Sequence, residues 1–152
     1  MSEPISFTSH TPRFEIPLLF AGQAQKEFFF NEAQIIIDAL LQTSVEGIAI
    51  SPPVKPVDGQ CWIVSNGAEG EWSGQDKAVA VRHGSGWKYI VPQEGMKAYN
   101  KFKKQHLIFR NGWAGASEPT AASGGATVDS EARAAIDSLT TSLRDAGVLA
   151  PL

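Results

Sequence analysis

The carboxylates and histidines are the side chains of this sequence best suited to catalysis, and their spacing forms no catalytic pattern. Two positioned carboxylates can hydrolyse a glycosidic bond, but Glu69 and Glu71 lie in a Gly-rich loop that fixes no separation between them. A solvated acidic loop is therefore the favoured interpretation. No two of His10, His83 and His106 have metal-ligand spacing on one element. Because G-x-S-x-G, H-E-x-x-H, paired-cysteine and P-loop motifs are also missing, we expect no enzymatic activity, metal or cofactor.

A run of basic and aromatic residues occupies positions 95–117, a window without an acidic residue. Its basic members are Lys97, Lys101, Lys103, Lys104 and Arg110, and its aromatic members are Tyr99, Phe102, Phe109 and Trp113. This combination can bind single-stranded nucleic acid or anionic glycans. Strands with a solvated basic face and a buried aromatic face are the more ordinary outcome. The whole chain has a formal net charge of −3 and a pI of about 5.6, so we do not expect nucleic-acid binding.

The four tryptophans all lie between residues 60 and 113. Trp62 and Trp87 belong to apolar runs and are expected in the core. Trp72 lies in a Gly-rich stretch and is expected to be exposed, either as a platform for a sugar ring or as an anchor at a protein interface. The sequence does not distinguish these two roles. The candidate contacts to a glycan or a protein partner are Trp72, Trp113, Lys101, Lys103 and Lys104.

The elements that position these residues indicate an α+β body over residues 21–113. Residues 21–44 place apolar side chains at helical spacing, over more than half of the helix circumference. Either a compact core or a neighbouring subunit is expected to cover the second side of this helix. The following region predicts a small antiparallel meander, as a sandwich or partial barrel. Its strands are predicted at 60–64, 77–82, 86–91 and 106–110, with a hairpin turn at Asn111-Gly112.

A composition change marks the C-terminal region. Residues 114–126 are rich in Ala, Gly and Ser and predict a flexible linker, and residues 127–152 contain a predicted helix at 129–146. Asp129 is a candidate N-cap, and Gly147 is a candidate C-terminal stop. Five apolar positions of this helix recur at 4-3-4-3 spacing, namely Ala132, Ile136, Leu139, Leu143 and Ala146. This spacing favours self-association of the helix over packing against its own body.

The N-terminal region predicts an extended arm over residues 1–20, because Pro4, Pro12 and Pro17 disfavour helix. The arm either contributes to subunit contacts or frays. It lacks the features of a signal peptide, and the most apolar stretch, 28–41, is too short and too interrupted to span a membrane. Cys61 is the single cysteine and is expected to be buried. We therefore expect a protein made in the cytoplasm.

Three stretches carry a resemblance to known proteins: TPRFEIPLL at 11–19, AGQAQKE at 21–27 with NEA at 31–33, and PVDG at 56–59. Further similarity is found at 72–74, 78–80, 86–87 and 92–95. Together they resemble an uncharacterised family of proteins encoded in bacterial prophages and gene transfer agents. Residues 131–149 separately resemble the C-terminal tail of many phage fibre-type proteins, which also follows a Gly/Ala/Ser linker. Neither resemblance implies a catalytic residue. Both imply a virion setting, and fibres imply a trimer.

These observations lead to three functional hypotheses. The first is a structural subunit of a phage or phage-like particle, such as a head spike, fibre or tail-associated adaptor. It would bind copies of itself and other virion proteins. The second is a carbohydrate-binding module that attaches the particle to host-surface polysaccharide. The third and weakest is a glycan hydrolase.

Overall fold

The computed structural model describes residues 9–19, 26–121, 123–125 and 127–152. The helices are α1 (Lys26–Leu41) and α2 (Ser130–Asp145), with a 3-10 helix at Gly70–Trp72. The strands are β1 (Ser44–Val45), β2 (Ile48–Ala49), β3 (Cys61–Val64), β4 (Val79–His83), β5 (Gly86–Ile90), β6 (Lys97–Asn100), β7 (Gln105–Phe109) and β8 (Trp113–Gly115). The chain divides into two compact units, Met1–Pro92 and Gln93–Leu152. The fold is α+β as predicted, and the strands described here form no closed barrel.

The sheet of the first unit has the strand order β2-β3-β4-β5. β2 and β3 are parallel, and the β3-β4 and β4-β5 pairs are antiparallel. The predicted strands at 60–64, 77–82 and 86–91 correspond to β3, β4 and β5, with small shifts at their ends. β1 and β2 were not predicted, because two-residue strands are too short to produce an alternating pattern.

Both faces of this sheet are covered. Alternate residues of β3 and β4, such as Cys61 and Val79, are buried and belong to the face that also carries Lys88. Lys88 forms an ion pair with Glu32 of α1, with 2.6 Å between Nζ and Oε1, so α1 covers this face. Trp62 and its cross-strand neighbours occupy the other face. The prediction that Cys61 is buried is confirmed.

The predicted first helix is shorter than expected at its C-terminal end. α1 ends at Leu41 rather than at residue 44, because Ser44 already belongs to β1. The predicted residues 21–25 lie outside the described part of the chain. The Arg13 guanidinium donates to the carbonyl oxygens of Ala39 (2.9 Å) and Gln42 (2.6 Å). These bonds satisfy carbonyls that a helix end otherwise leaves without intrahelical donors.

The described part of the N-terminal arm folds back onto α1 and is held by a buried carboxylate. Asp38 Oδ1 accepts from the Thr11 hydroxyl (2.7 Å) and from the Phe14 backbone N–H (2.8 Å). Asp38 Oδ2 accepts from the Arg13 backbone N–H (3.1 Å). Thr11 and Asp38 are both fully buried. Residues 11–14 are therefore an integral part of the first unit, and the alternative of a fully frayed arm is wrong for them.

In the second unit, β6, β7 and β8 form consecutive antiparallel pairs. Ala98, Asn100, Gln105 and Leu107 lie on the buried face. The hairpin at Asn111-Gly112 is confirmed: Arg110 N–H donates to Gly112 O at 2.9 Å, and Asn111 has φ 57°. Within the described ranges, no helix has the length and apolar character needed to cross a membrane.

Candidate functional site

The predicted C-terminal helix is present, and its end signals are those read from the sequence. The Asp129 carboxylate accepts from the Ala132 backbone N–H at 2.8 Å, which caps the first turn. At the other end, Gly147 N–H donates to Arg144 O (2.8 Å), and Val148 N–H donates to Leu143 O (2.9 Å). Gly147 has φ 68°, so this is a Schellman motif with glycine in the left-handed conformation.

The apolar stripe of α2 lies at the surface of the second unit. We name its five members the α2 seam: Ala132, Ile136, Leu139, Leu143 and Ala146. α2 contains no buried residue. Ile136 and Leu139 are 47% and 60% exposed, and only Leu143 is half-buried. The side chains that the spacing selected for self-association are therefore accessible to another chain.

The residues that follow α2 are bound to the sheet of the second unit. His106 N–H donates to Gly147 O at 2.7 Å, and the Gln105 side-chain amide donates to Val148 O at 2.9 Å. Leu149 is buried. The residues that follow α2 therefore pack on their own body, whereas self-association through the exposed seam stays a prediction.

Gln105 also holds the start of the C-terminal region, a role that the sequence did not reveal. The same Nε2 atom donates to Ala116 O at 2.6 Å. A Cβ atom at Gly115 would lie 2.5 Å from Gln105 Oε1, so a larger residue there would require the Gln105 side chain to move. A lone glutamine in a strand carries no local signal for a bond to residues 11 and 43 positions away.

The predicted linker contacts α2 at the points that the structure describes. Arg144 forms an ion pair with Glu118, and Arg133 Nη2 donates to Gly124 O at 2.6 Å. A cavity of about 230 Å³ lies between residues 118–121 and α2. The composition predicted a flexible linker, and these contacts show that parts of the linker lie against α2.

The three candidate lysines lie in the turn between β6 and β7. Lys101, Phe102, Lys103 and Lys104 are all exposed, and Phe102 is 84% exposed. The buried Asn100 side chain accepts from Lys103 N–H at 3.0 Å and stabilises the turn. An asparagine before a lysine-rich segment is a turn signal that could have located this loop. We call residues 101–104 the basic tip.

Trp113 is not part of the basic tip. It lies in β8 opposite Phe109 of β7, and the two rings make an edge contact with 5.4 Å between centroids. The tip adjoins residue 105, at the other end of β7. Four residues of extended chain span about 13 Å, so a glycan monomer cannot contact both sites. The structure therefore separates Trp113 from the three lysines, and their contact with a polysaccharide or a protein partner stays a prediction.

A concave site of about 340 Å³ lies on the outer face of the same sheet. Its polar members are Lys97 and His106, and the remainder is apolar, comprising Leu107, Ile108, Ala114, Ala116 and Val148. The His106 ring contacts Tyr99 edge-on, with 5.1 Å between centroids.

Trp72 is completely buried at 0% exposure, so the expectation of an exposed platform is wrong. It packs in the core of the first unit between Trp62 (6.5 Å between ring centroids) and Trp87 (5.0 Å). Among the residues that the structure describes, the Trp72 indole N–H has no hydrogen-bond partner. The polar residues around Trp72 resembled a surface loop, whereas its burial depends on tryptophans far away in sequence.

The acidic loop around Trp72 is bound to its own backbone. Asp76 accepts from the N–H groups of Gly67 and Ala68, each at 3.1 Å. These bonds lower the pKa of Asp76 below its ordinary value. The Tyr89 hydroxyl donates to Glu71 O at 2.6 Å. Burial, and secondarily the Glu71 charge, raises the pKa of Tyr89.

The described residues contain no group of three His, Cys, Asp or Glu side chains that could hold a metal ion. Glu69 and Glu71 are exposed. The histidines lie apart: His10 bridges to Pro17 in the arm, His83 ends β4, and His106 lies in β7.

The comparisons with known proteins place the body of the chain in one family. A search of curated proteins found no match. Residues 30–114, more than half of the chain, match the family described as "Protein of unknown function (DUF2793)". The expectation of an uncharacterised family is thereby confirmed, and the matched region runs from α1 to β8. The chain belongs to this DUF2793 family.

Proposed function

We propose that this chain is a non-enzymatic structural subunit of a phage or phage-like particle, made in the bacterial cytoplasm and assembled as a homo-oligomer. The observation that carries the proposal is the exposed α2 seam. A 16-residue helix without a buried residue is marginal by itself in water. Contact with another chain would stabilise it by covering the exposed parts of Ile136 and Leu139.

The seam is chemically suited to a copy of itself. On a heptad assignment, the positions that flank Ile136, Leu139 and Leu143 are mostly small or neutral, including Ala135, Thr140 and Ser142. Like charges therefore do not oppose each other across a self-paired seam. A closed ring of copies would bury the same stripe in every subunit. The trimer is proposed from the resemblance to fibre proteins, since two heptads do not fix the number of chains.

The bonds to Gln105 and His106 support a structural role for the tail. Because they hold the end of α2 on the sheet, an oligomer formed through the seam would also fix the adjacent second-unit sheet. The particle setting rests on the resemblance of residues 11–113 to prophage and gene-transfer-agent proteins, and of 131–149 to fibre tails.

The test of self-association is solution mass by light scattering for the full chain and two matched variants. Leu139→Glu places a charge in the seam, whereas Ala134→Glu places the same side chain on the opposite side of α2. We expect an oligomer for the unsubstituted chain and for Ala134→Glu, and a lower mass for Leu139→Glu. A monomeric full chain, or equal masses for both variants, would contradict the proposal.

The particle setting has a separate test. Phage-like particles would be induced in the bacterium that encodes the chain, purified by sedimentation, and analysed by mass spectrometry. We expect the chain to co-sediment with the major capsid protein at a stoichiometry above that of cytoplasmic contaminants. Its recovery only in the non-particulate fraction would reject a virion role.

A second candidate function is attachment to an acidic host-surface polysaccharide, favoured by the basic tip. Three exposed lysines surround an exposed Phe102, which offers cationic groups beside an apolar ring. The test is binding of an anionic polysaccharide by the double variant Lys101→Gln/Lys103→Gln. The control is Lys55→Gln/Arg110→Gln, which removes two charges at exposed positions outside the basic tip. Loss of binding only in Lys101→Gln/Lys103→Gln would support this role, and equal binding by all proteins would reject it.

A further inference from the structure

The side of α1 that faces away from the first-unit sheet is entirely apolar between residues 29 and 41. Its members are Phe29, Phe30, Ala33, Ile37, Leu40 and Leu41, and all six are exposed. At 100° per residue they fall within an arc of about 120°. The buried residues Ile35 and Ala39 lie on the opposite side. We call this surface the outer face of α1.

The outer face is large enough to form a specific interface. Phe29 is 74% exposed and Phe30 is 44% exposed, so the two rings present roughly 240 Å² and the four aliphatic side chains roughly the same again. Two such faces would bury about 1,000 Å² in total, near the lower limit for a specific protein interface. The six positions include no charged residue, so this face offers no side chain for a salt bridge with a charged partner.

The spacing of the side chains along the outer face is the same when the helix is read in either direction. Phe30, Ala33, Ile37 and Leu40 follow 3-4-3 spacing, which is that of a packed helix pair. If two copies run antiparallel about a twofold axis at the level of residue 35, Phe30 shares a layer with Leu40 of the second copy. Ala33 then shares a layer with Ile37 of the second copy. We infer that the outer face of α1 pairs antiparallel with the same face of a second copy of this chain.

Side-chain volumes favour this direction over the parallel one. A parallel in-register pair would place Ala33 against Ala33 and Phe30 against Phe30, leaving a narrow layer beside a crowded one. The antiparallel pair places the smallest side chain opposite a branched one in both inner layers. Interfaces with twofold symmetry use this reciprocal arrangement, in which residue i contacts j and j contacts i. The inferred contact is independent of the α2 seam.

The direction of pairing can be tested with two single-cysteine variants, Phe30→Cys and Leu40→Cys. In the antiparallel pair, the two positions share a layer, whereas copies of the same position are separated by about 15 Å along the helices. A short bis-maleimide should therefore link the chains in an equal mixture of the two variants and in neither variant alone. The unsubstituted chain is the control for Cys61, whose side chain is buried.

Each outcome is decisive for the inference. A cross-linked dimer in the mixture alone supports antiparallel pairing. Efficient cross-linking within each separate variant indicates parallel pairing and overturns it. No cross-linking in any sample also overturns it.

A second experiment separates this contact from the one proposed for α2. In the Leu139→Glu background, light scattering should still report a dimer. Adding Ile37→Glu, which charges the outer face, should reduce this mass by half. Adding Ala134→Glu instead, which places the same charge on the side of α2 opposite the seam, should leave it unchanged. A monomer in the Leu139→Glu background would refute the α1 contact. If the unsubstituted chain had the same dimer mass as Leu139→Glu, only the proposed role of the α2 seam would be refuted.

Discussion

Asp38 gives the sharpest test of how the first unit is held together. Asp38→Ala removes the acceptor of three hydrogen bonds, which come from the Thr11 hydroxyl and from the backbone N–H groups of Arg13 and Phe14. Bonds of this kind contribute about 1–2 kcal/mol each, and their deletion leaves buried donors unsatisfied. Because the three bonds share one side chain and are not additive, we expect the free energy of unfolding to fall by about 3 kcal/mol.

Urea denaturation followed by tryptophan fluorescence measures this change. With a slope of about 2 kcal/mol per molar urea, the transition midpoint should fall by about 1.5 M. Protein concentration must be equal in all samples, since self-association raises apparent stability. Asp38→Asn keeps one acceptor oxygen but presents an amide donor to a backbone donor, so it should lose about half as much stability.

Hydrogen exchange locates the effect. The Arg13 and Phe14 amides should lose protection in Asp38→Ala if the arm detaches into water and is rehydrated. Asp137→Ala, which removes an exposed carboxylate of α2, is the matched control and should change stability by less than about 0.5 kcal/mol. If Asp38→Ala were as stable as this control and kept amide protection at 13 and 14, the inference that Asp38 holds the arm would be refuted.

Three further predictions concern the tryptophan core and its loop. Trp72→Ala should lower the free energy of unfolding by about 3–5 kcal/mol because it empties a buried site. Trp72→Phe should lower it less, since the indole N–H that it removes has no hydrogen-bond partner among the described residues. Equal urea midpoints for Trp72→Ala and the unsubstituted protein would contradict this prediction. The raised pKa of Tyr89 means that its stabilising contribution is complete below pH 10 and lost at higher pH, so unfolding free energies measured from pH 9 to 12 should fall more steeply than those of Tyr89→Phe. The pKa of Asp76 is lowered, so its stabilising contribution is present at neutral pH and is lost in acid. Asp76→Asn should therefore be less stable than the unsubstituted protein at pH 7, and the difference in unfolding free energy should narrow below pH 3.8. A difference independent of pH would exclude the carboxylate charge as its cause.

The elements predicted best are those whose signals are local. α2 starts after Asp129 and ends before Gly147 as predicted, because a cap side chain and a left-handed glycine act within a few residues. The hairpin at Asn111-Gly112 is correct for the same reason. The alternating apolar residues of β4 and β5 identified these strands, since the residue period of a half-buried strand is visible in the sequence itself.

The features that were missed depend on partners distant in sequence. Trp72 is surrounded in sequence by glycine and acids, and its burial follows from contacts with Trp62 of β3 and Trp87 of β5. Asp38 looked like a polar interruption of an apolar helix, yet it accepts from residues 24 to 27 positions earlier. Periodicity cannot identify such contacts, because it reports which side of an element is buried and not which chain segment covers it.

The two bonds of the Gln105 amide have a consequence for how such proteins can change over time. Ala116 O and Val148 O accept from one nitrogen atom, so the chain leaves the sheet and returns to it at almost the same place. Residues 117–147 therefore form an insertion whose two ends lie at the same point of the sheet. Recombination that exchanged this insertion would replace α2 while the strands on either side of the junction kept their pairing. An exchanged tail would thus attach to the body through the same Gln105 side chain.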